Sequence, residues 1–188
     1  MKVQSILIAG SEFTHTRDIA RMRRYLITHG HQVLSVRQTH TRFGLDWLIY
    51  SLIKSVTQAD AALLMFHGHG HQAGWENGVE YHLLVNHLAK IAGKLIFIND
   101  TCYGACILPL LQEVRSFEDT CFLAPWDSEG VSYGNCVKDC LTAWQQNRRH
   151  EEVISGNILS TDVGDFEYPA QVRWGQSLDH LLFPNVTI

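Results

Sequence analysis

The chain alternates short, wholly apolar runs with longer stretches in which apolar residues recur every three or four positions. Residues 3–9 read as a buried first strand that stops at Gly10-Ser11. Asp18 to Leu26 has helical spacing, with Ile19, Met22, Tyr25 and Leu26 on one face and Gly30 closing it. A second strand follows at His31–Val36. Asp46 to Val56 then reads as an amphipathic helix with Trp47, Leu48, Leu52, Ile53 and Val56 toward the core. The spacing predicts a third strand over 61–66, a helix within 83–92 starting near Asn86, and a fourth strand over 94–99. Beyond Cys102 a helix runs through Leu108 to Val114, with Pro109 tolerated in its first turn. A fifth strand, Thr120 to Ala124, precedes a helix from Asn135 to Gln146 with Val137, Leu141 and Trp144 inward. The C-terminal stretch is less regular, with Val172-Arg173-Trp174 as a sixth, edge strand.

Strands alternating with helices at this spacing predict an α/β fold with a mostly parallel, doubly wound sheet of about six strands. With no internal repeat, low-complexity tract or linker, residues 1–188 read as a single domain. In such sheets ligands bind beyond the carboxyl ends of the strands. Two apolar runs stop abruptly there on small residues carrying one reactive side chain each. Ala62-Leu63-Leu64-Met65-Phe66 gives way to His67-Gly68-His69-Gly70, and Leu95-Ile96-Phe97-Ile98 to Asn99-Asp100-Thr101-Cys102-Tyr103-Gly104-Ala105. As neighbouring parallel strands, about 4.8 Å apart, they would deliver an imidazole and a thiol side by side. That pair is a nucleophile with its proton-transfer partner and points to a cysteine protease.

Composition narrows the surroundings of this pair. A net charge of −4 without basic runs argues against a nucleic-acid or anionic-membrane partner. No stretch approaches the ~20 apolar residues of a membrane span, and the apolar N-terminus is too short for a signal sequence. Five cysteines, an odd number at no framework spacing, fit free thiols in a reducing cytoplasm. Cys106, Cys121, Cys136 and Cys140 read as small core hydrophobes. Eleven histidines keep a metal site open as a rival.

The two blocks together resemble the caspase-like cysteine peptidases, a superfamily of caspases, metacaspases and bacterial relatives. Gly68-His69-Gly70 followed by His71-Gln72 looks like the metacaspase form of the first block. Asp100-Thr101-Cys102-Tyr103-Gly104-Ala105 looks like the second. Residues 3–36 are similar to the family's opening unit, and Ala124-Pro125-Trp126-Asp127-Ser128-Glu129-Gly130-Val131-Ser132-Tyr133-Gly134 to a segment that helps form its substrate cleft. The resemblance implies a three-layer α/β/α sandwich and a cysteine endopeptidase needing no cofactor. Cys102 would be the nucleophile, His69 the general acid, and the backbone N–H groups of Gly70 and Cys102 the oxyanion donors. Gly134 stands where caspases carry an arginine for substrate aspartate. Acidic residues (Asp127 and Glu129, with Glu12 and Asp18 after the first strand) would instead favour cleavage after arginine or lysine. Each of the four also reads as a helix cap or solvated loop charge, and Asp18 suits a helix N-terminus. Partners would be a protein or peptide substrate and a regulatory protein or ligand.

Two other classes stay open. His67, His69 and His71 alternate through one loop mouth, and with or without Cys102 they have ligand chemistry for a metal-dependent hydrolase. The run resembles the His-x-His-x-Asp-His signature of metallo-β-lactamases, but His71 and Gln72 stand where Asp and His belong. The third class is a non-catalytic caspase-like scaffold that binds a partner. Within the loop, the Gly-His-Gly frame favours His69, leaving His67 as a structural histidine at the strand end.

Overall fold

The computed structural model describes residues 3–37, 45–76, 78–125, 136–146, 171–176 and 179–182. Its strands are β1 (Val3–Ala9), β2 (Gln32–Arg37), β3 (Ala61–His67), β4 (Gly70–His71), β5 (Gly74–Trp75), β6 (Lys94–Asp100), β7 (Thr120–Pro125) and β8 (Gln171–Gly175). The helices are α1 (Phe13–Thr28), α2 (Leu45–Ser55), α3 (Tyr81–Leu88), α4 (Leu108–Val114) and α5 (Cys136–Gln145), with a last short helix at Asp179–Leu182.

Among the described residues six strands form one sheet in the order β2-β1-β3-β6-β7-β8, all parallel except β8, which runs antiparallel to β7 at the edge. Strand alternation divides its side chains between two cores. Ile6, Ile8, Leu64, Phe66, Leu95, Phe97 and Phe122 pack on the face carrying α2, α3 and α4. Leu7, Leu63, Met65, Ile96, Ile98 and Leu123 pack on the other, with α1 and α5. Burial on both faces explains why β3, β6 and β7, and β1 from Ile6 onward, read as apolar runs. The result is the expected three-layer α/β/α sandwich.

The strands and most helices lie where the pattern places them, and the exceptions have physical causes. Helix α1 begins at Phe13 rather than Asp18, so Asp18 lies inside the helix instead of capping it. The early turn was hidden because its buried residue is polar, His15. Helix α3 starts at Tyr81, buried under α4's layer, and not near Asn86. In α2 the inward residues are Ile49, Ile53 and Val56, whereas Trp47 and Leu48 face solvent. Apolar residues nearly encircle that helix, so its sequence left the phase open. Pro109 occupies the first turn of α4, after a 3₁₀ turn at Gly104–Ile107. Cys121, Cys136 and Cys140 are buried as expected, but Cys106 is exposed on that 3₁₀ turn.

The chain leaves β1 outward to β2 through α1, then returns past β1 to β3 through α2 on the opposite face. That reversal is the topological switch point of the sheet, where open α/β folds form their crevice.

Candidate active site

Strands β3 and β6 pair in register from Ala61↔Lys94 to His67↔Asp100. His69 and Cys102 therefore lie the same two residues past one matched pair, on adjacent strands and at the same sheet edge. Gly68 N–H donates to Asp100 O at 3.2 Å, tying the two exits together. The next contact needs glycine. A Cβ on Gly70 would fall 2.3 Å from Thr101 Oγ1 and 2.9 Å from the Cys102 carbonyl oxygen, so the Gly70 backbone rests directly on the Thr101-Cys102 turn.

Beyond His69 the chain makes a two-residue hairpin in which Gly70 pairs with Trp75 and His71 with Gly74. Glu76 N–H donates to His69 O at 3.0 Å. Antiparallel pairs alternate between bonded and non-bonded, so Gly70 is in a non-bonded pair and its N–H faces away from β5. The hairpin is anchored by Trp75, fully buried and stacked on Phe66 with ring centroids 4.1 Å apart.

Trp75 also opens a buried hydrogen-bond network that shapes the cysteine turn. Its Nε1–H donates to Asn99 Oδ1 at 2.7 Å. Asn99 Nδ2 donates to Gly104 O at 2.8 Å and to Tyr81 Oη at 3.3 Å. Tyr81 Oη in turn donates to Tyr103 O at 3.4 Å. Indole N–H is a donor only, so the amide has one possible orientation. The network clamps both residues after Cys102, including Tyr103, whose φ of 55° puts a bulky side chain in the left-handed region. Such a conformation costs roughly 1–3 kcal/mol and persists where its surroundings overdetermine it. Cys102 itself is half-buried.

The opposite face of the same strand ends is charged. His67 Nδ1 lies 3.0 Å from Asp100 Oδ2, and Nε2 lies 3.9 Å from Asp18 Oδ2. Asp100 Oδ2 also accepts the Val137 N–H at 3.0 Å, holding the start of α5. Burial works to lower the pKa of His67, but Asp100 and then Asp18 outweigh it and raise it. His15 sits edge-on to both His67 and His69, with ring centroids 4.7 and 4.9 Å away. Burial, then the neighbouring histidines, push its pKa down to about 4, so it is uncharged at neutral pH.

His69 is turned toward the loop after β1. Its Nε2 lies 2.6 Å from Glu12 Oε1. This hydrogen bond and the charge of His69 hold the Glu12 carboxyl below its ordinary range. An ionised carboxylate only accepts, so His69 donates from Nε2–H, and Nδ1 is the ring nitrogen left for another partner.

The predicted site residues thus divide. The register brings His69, Gly70 and Cys102 to one edge. Glu12 is partnered with His69, and Asp18 lies 3.1 Å from Arg17 and 3.8 Å from Arg21 besides its approach to His67. Asp127 and Glu129 lie outside the described residues. The histidine cluster weighed for a metal hydrolase is split: His67 turns inward to Asp100, and His71 Nδ1 accepts the Ala73 N–H at 3.2 Å. Among the described residues the group with metal-holding geometry is a different one, Glu12, His15 and His69. Sequence reading missed Asn99, Trp75, Tyr81 and His15. A lone tryptophan in a polar, glycine-rich stretch, and an asparagine closing an apolar strand, were the available signals.

No family model matches the chain, and no curated protein matches it. Solved structures do. The chain superposes on pro-sf-caspase-1 with a TM-score of 0.56 and 10% identity, covering 93% of this chain and 91% of that one. For caspase-1 from Spodoptera frugiperda the TM-score is 0.52 at 11% identity, with 82% and 74% covered. For the caspase drICE it is 0.52 at 12% identity, with 82% and 79% covered. The chain has the caspase-like fold. Among the described residues no helix is long and apolar enough to cross a membrane.

Proposed function

We propose that this caspase-like chain is a cysteine endopeptidase working through a Cys102–His69 dyad. The observation that supports the reading is the β3–β6 register, since His69 and Cys102 each follow the His67↔Asp100 pair by two positions. Cys102 Sγ gives its proton to His69 Nδ1 and attacks the scissile carbonyl carbon. The Gly70 and Cys102 N–H groups hold the resulting oxyanion. As the tetrahedral intermediate collapses, the C–N bond breaks and His69 returns the proton to the departing amine. Water then hydrolyses the thioester and frees the thiol. Glu12 serves this cycle by keeping Nε2 protonated and Nδ1 available.

A basic residue before the scissile bond remains our reading of specificity. Glu12 and Asp18 already have partners, so the preference falls mainly to Asp127 and Glu129. A protein partner or ligand controls the activity. The test is labelling with a peptide electrophile carrying arginine, followed by mapping of the modified residue. Modification at Cys102, lost in Cys102→Ala together with cleavage of arginyl or lysyl reporters, is the expected result. Cleavage that survives in Cys102→Ala would end the proposal, and equal labelling by an aspartyl probe would end the basic preference.

A further inference from the structure

We propose that Glu12, His15 and His69 form a zinc-binding site whose occupation takes His69 out of the peptidase reaction. The regulatory half of this proposal rests on His69 being the catalytic histidine; the binding half does not.

One ligand atom from each residue lies within 4.8 Å of the others. Tetrahedral zinc with bonds of about 2.1 Å brings ligand atoms to about 3.4 Å from one another. Glu12 Oε1 and His69 Nε2, now 2.6 Å apart, need to open by about 0.8 Å, and the His15 ligand atom needs to draw nearer by up to about 1.4 Å. The donor set is two imidazoles and one carboxylate. This is the three-ligand pattern that leaves a fourth position to water.

The geometry also gives the ion a wall and a door. His15 is buried on α1, and its Nδ1 has no hydrogen-bond partner among the described residues, an unusual condition for a buried ring nitrogen. Around that ring the backbone is tight: a Cβ on Gly10 would lie 2.7 Å from Nδ1 and 2.8 Å from Gly68 Cα. Glu12 and His69 are about half exposed, so an ion reaches them from solvent. Binding replaces the Glu12–His69 hydrogen bond with two bonds to the metal. The ring proton moves from Nε2 to Nδ1, so His69 ligates as a neutral imidazole and no longer has a lone pair to take the Cys102 proton.

The binding arm uses Cys102→Ala, which needs no activity and excludes the thiolate as a ligand. Titration against a chromophoric chelator should give one zinc per chain. Glu12→Gln and His15→Gln, each introduced into that background, should weaken binding at least about tenfold. Cobalt in place of zinc should give the intense visible band of a four-coordinate ion without a thiolate charge-transfer band. Glu12 is at the surface, so Glu12→Gln stays informative even if His15→Gln disturbs folding. Absence of stoichiometric binding, or affinity unchanged in Glu12→Gln, overturns the site. In the chain retaining Cys102, zinc should inhibit reporter cleavage, with the inhibition curve displaced by the same factor in Glu12→Gln. Tight binding without inhibition overturns the regulatory half alone. A failure of the peptidase reading leaves the binding arm to stand or fall by itself.

Discussion

The two faces of the sheet meet at the site with opposite chemistry. Toward α3 and α4, Trp75, Asn99, Tyr81 and Gly104 form a neutral network with well-made hydrogen bonds. Toward α1 and α5, His15, His67, Asp18 and Asp100 crowd together, and His15 Nδ1 and Asp100 Oδ1 are buried without hydrogen-bond partners among the described residues. Asn99 and Asp100 are consecutive, so strand alternation alone sends one to each side. Neutral, satisfied polar groups fix a backbone at little electrostatic cost. A cluster of titratable groups holds its shape only in some protonation states and remains responsive to protons and cations. The neutral face therefore sets where Cys102 sits, and the charged face sets what can act on His69.

The sharpest way to break this contrast is Asn99→Ala. It strands the Trp75 indole N–H and the Gly104 carbonyl, and the expected loss is about 2–4 kcal/mol of stability. Urea unfolding measures it, and labelling of Cys102 should slow as the turn relaxes. A loss under about 1 kcal/mol would mean the neutral face is not what fixes the turn.

Asp100→Asn probes the charged face with a smaller effect. The amide oxygen still accepts from Val137, but the attraction to His67 is lost, at about 1–2 kcal/mol. The sign follows from the raised pKa of His67 in the folded chain. Its stabilising contribution is complete below the unfolded value near 6.5 and disappears as pH rises through the higher folded value. The gap between wild type and Asp100→Asn should therefore be widest near pH 6 and narrow toward pH 9. A gap independent of pH would assign Asp100 to the neutral kind of role.

Glu12→Gln should be the mildest, lowering kcat a few-fold without moving the unfolding midpoint, because an exposed amide no longer fixes one His69 tautomer. An unchanged kcat would remove Glu12 from the proton-transfer arrangement.

The positions of the central strands were largely legible because β3, β6 and β7 are buried on both faces, and such strands leave continuous apolar runs. That His69 and Cys102 follow the ends of neighbouring strands was legible for the same reason: both runs stop at the sheet edge, and chain distance allows one crossover helix between them. Helix ends and phases were less so. The first turn of α1 buries a histidine, and α2 is apolar nearly all round, so periodicity alone could not set the start of one or the inward face of the other.

What the sequence by itself determined, then, is which residue types arrive at the edge: an imidazole and a thiol, each framed by small residues. Only the tertiary structure decided what each meets there. It turned His67 inward to Asp100, brought Glu12 and His15 across the switch point to His69, and clamped the Cys102 turn through Asn99 and Trp75. The physical reason is that local spacing fixes the face from which a side chain leaves, whereas its partner depends on strand register and on loops distant in sequence.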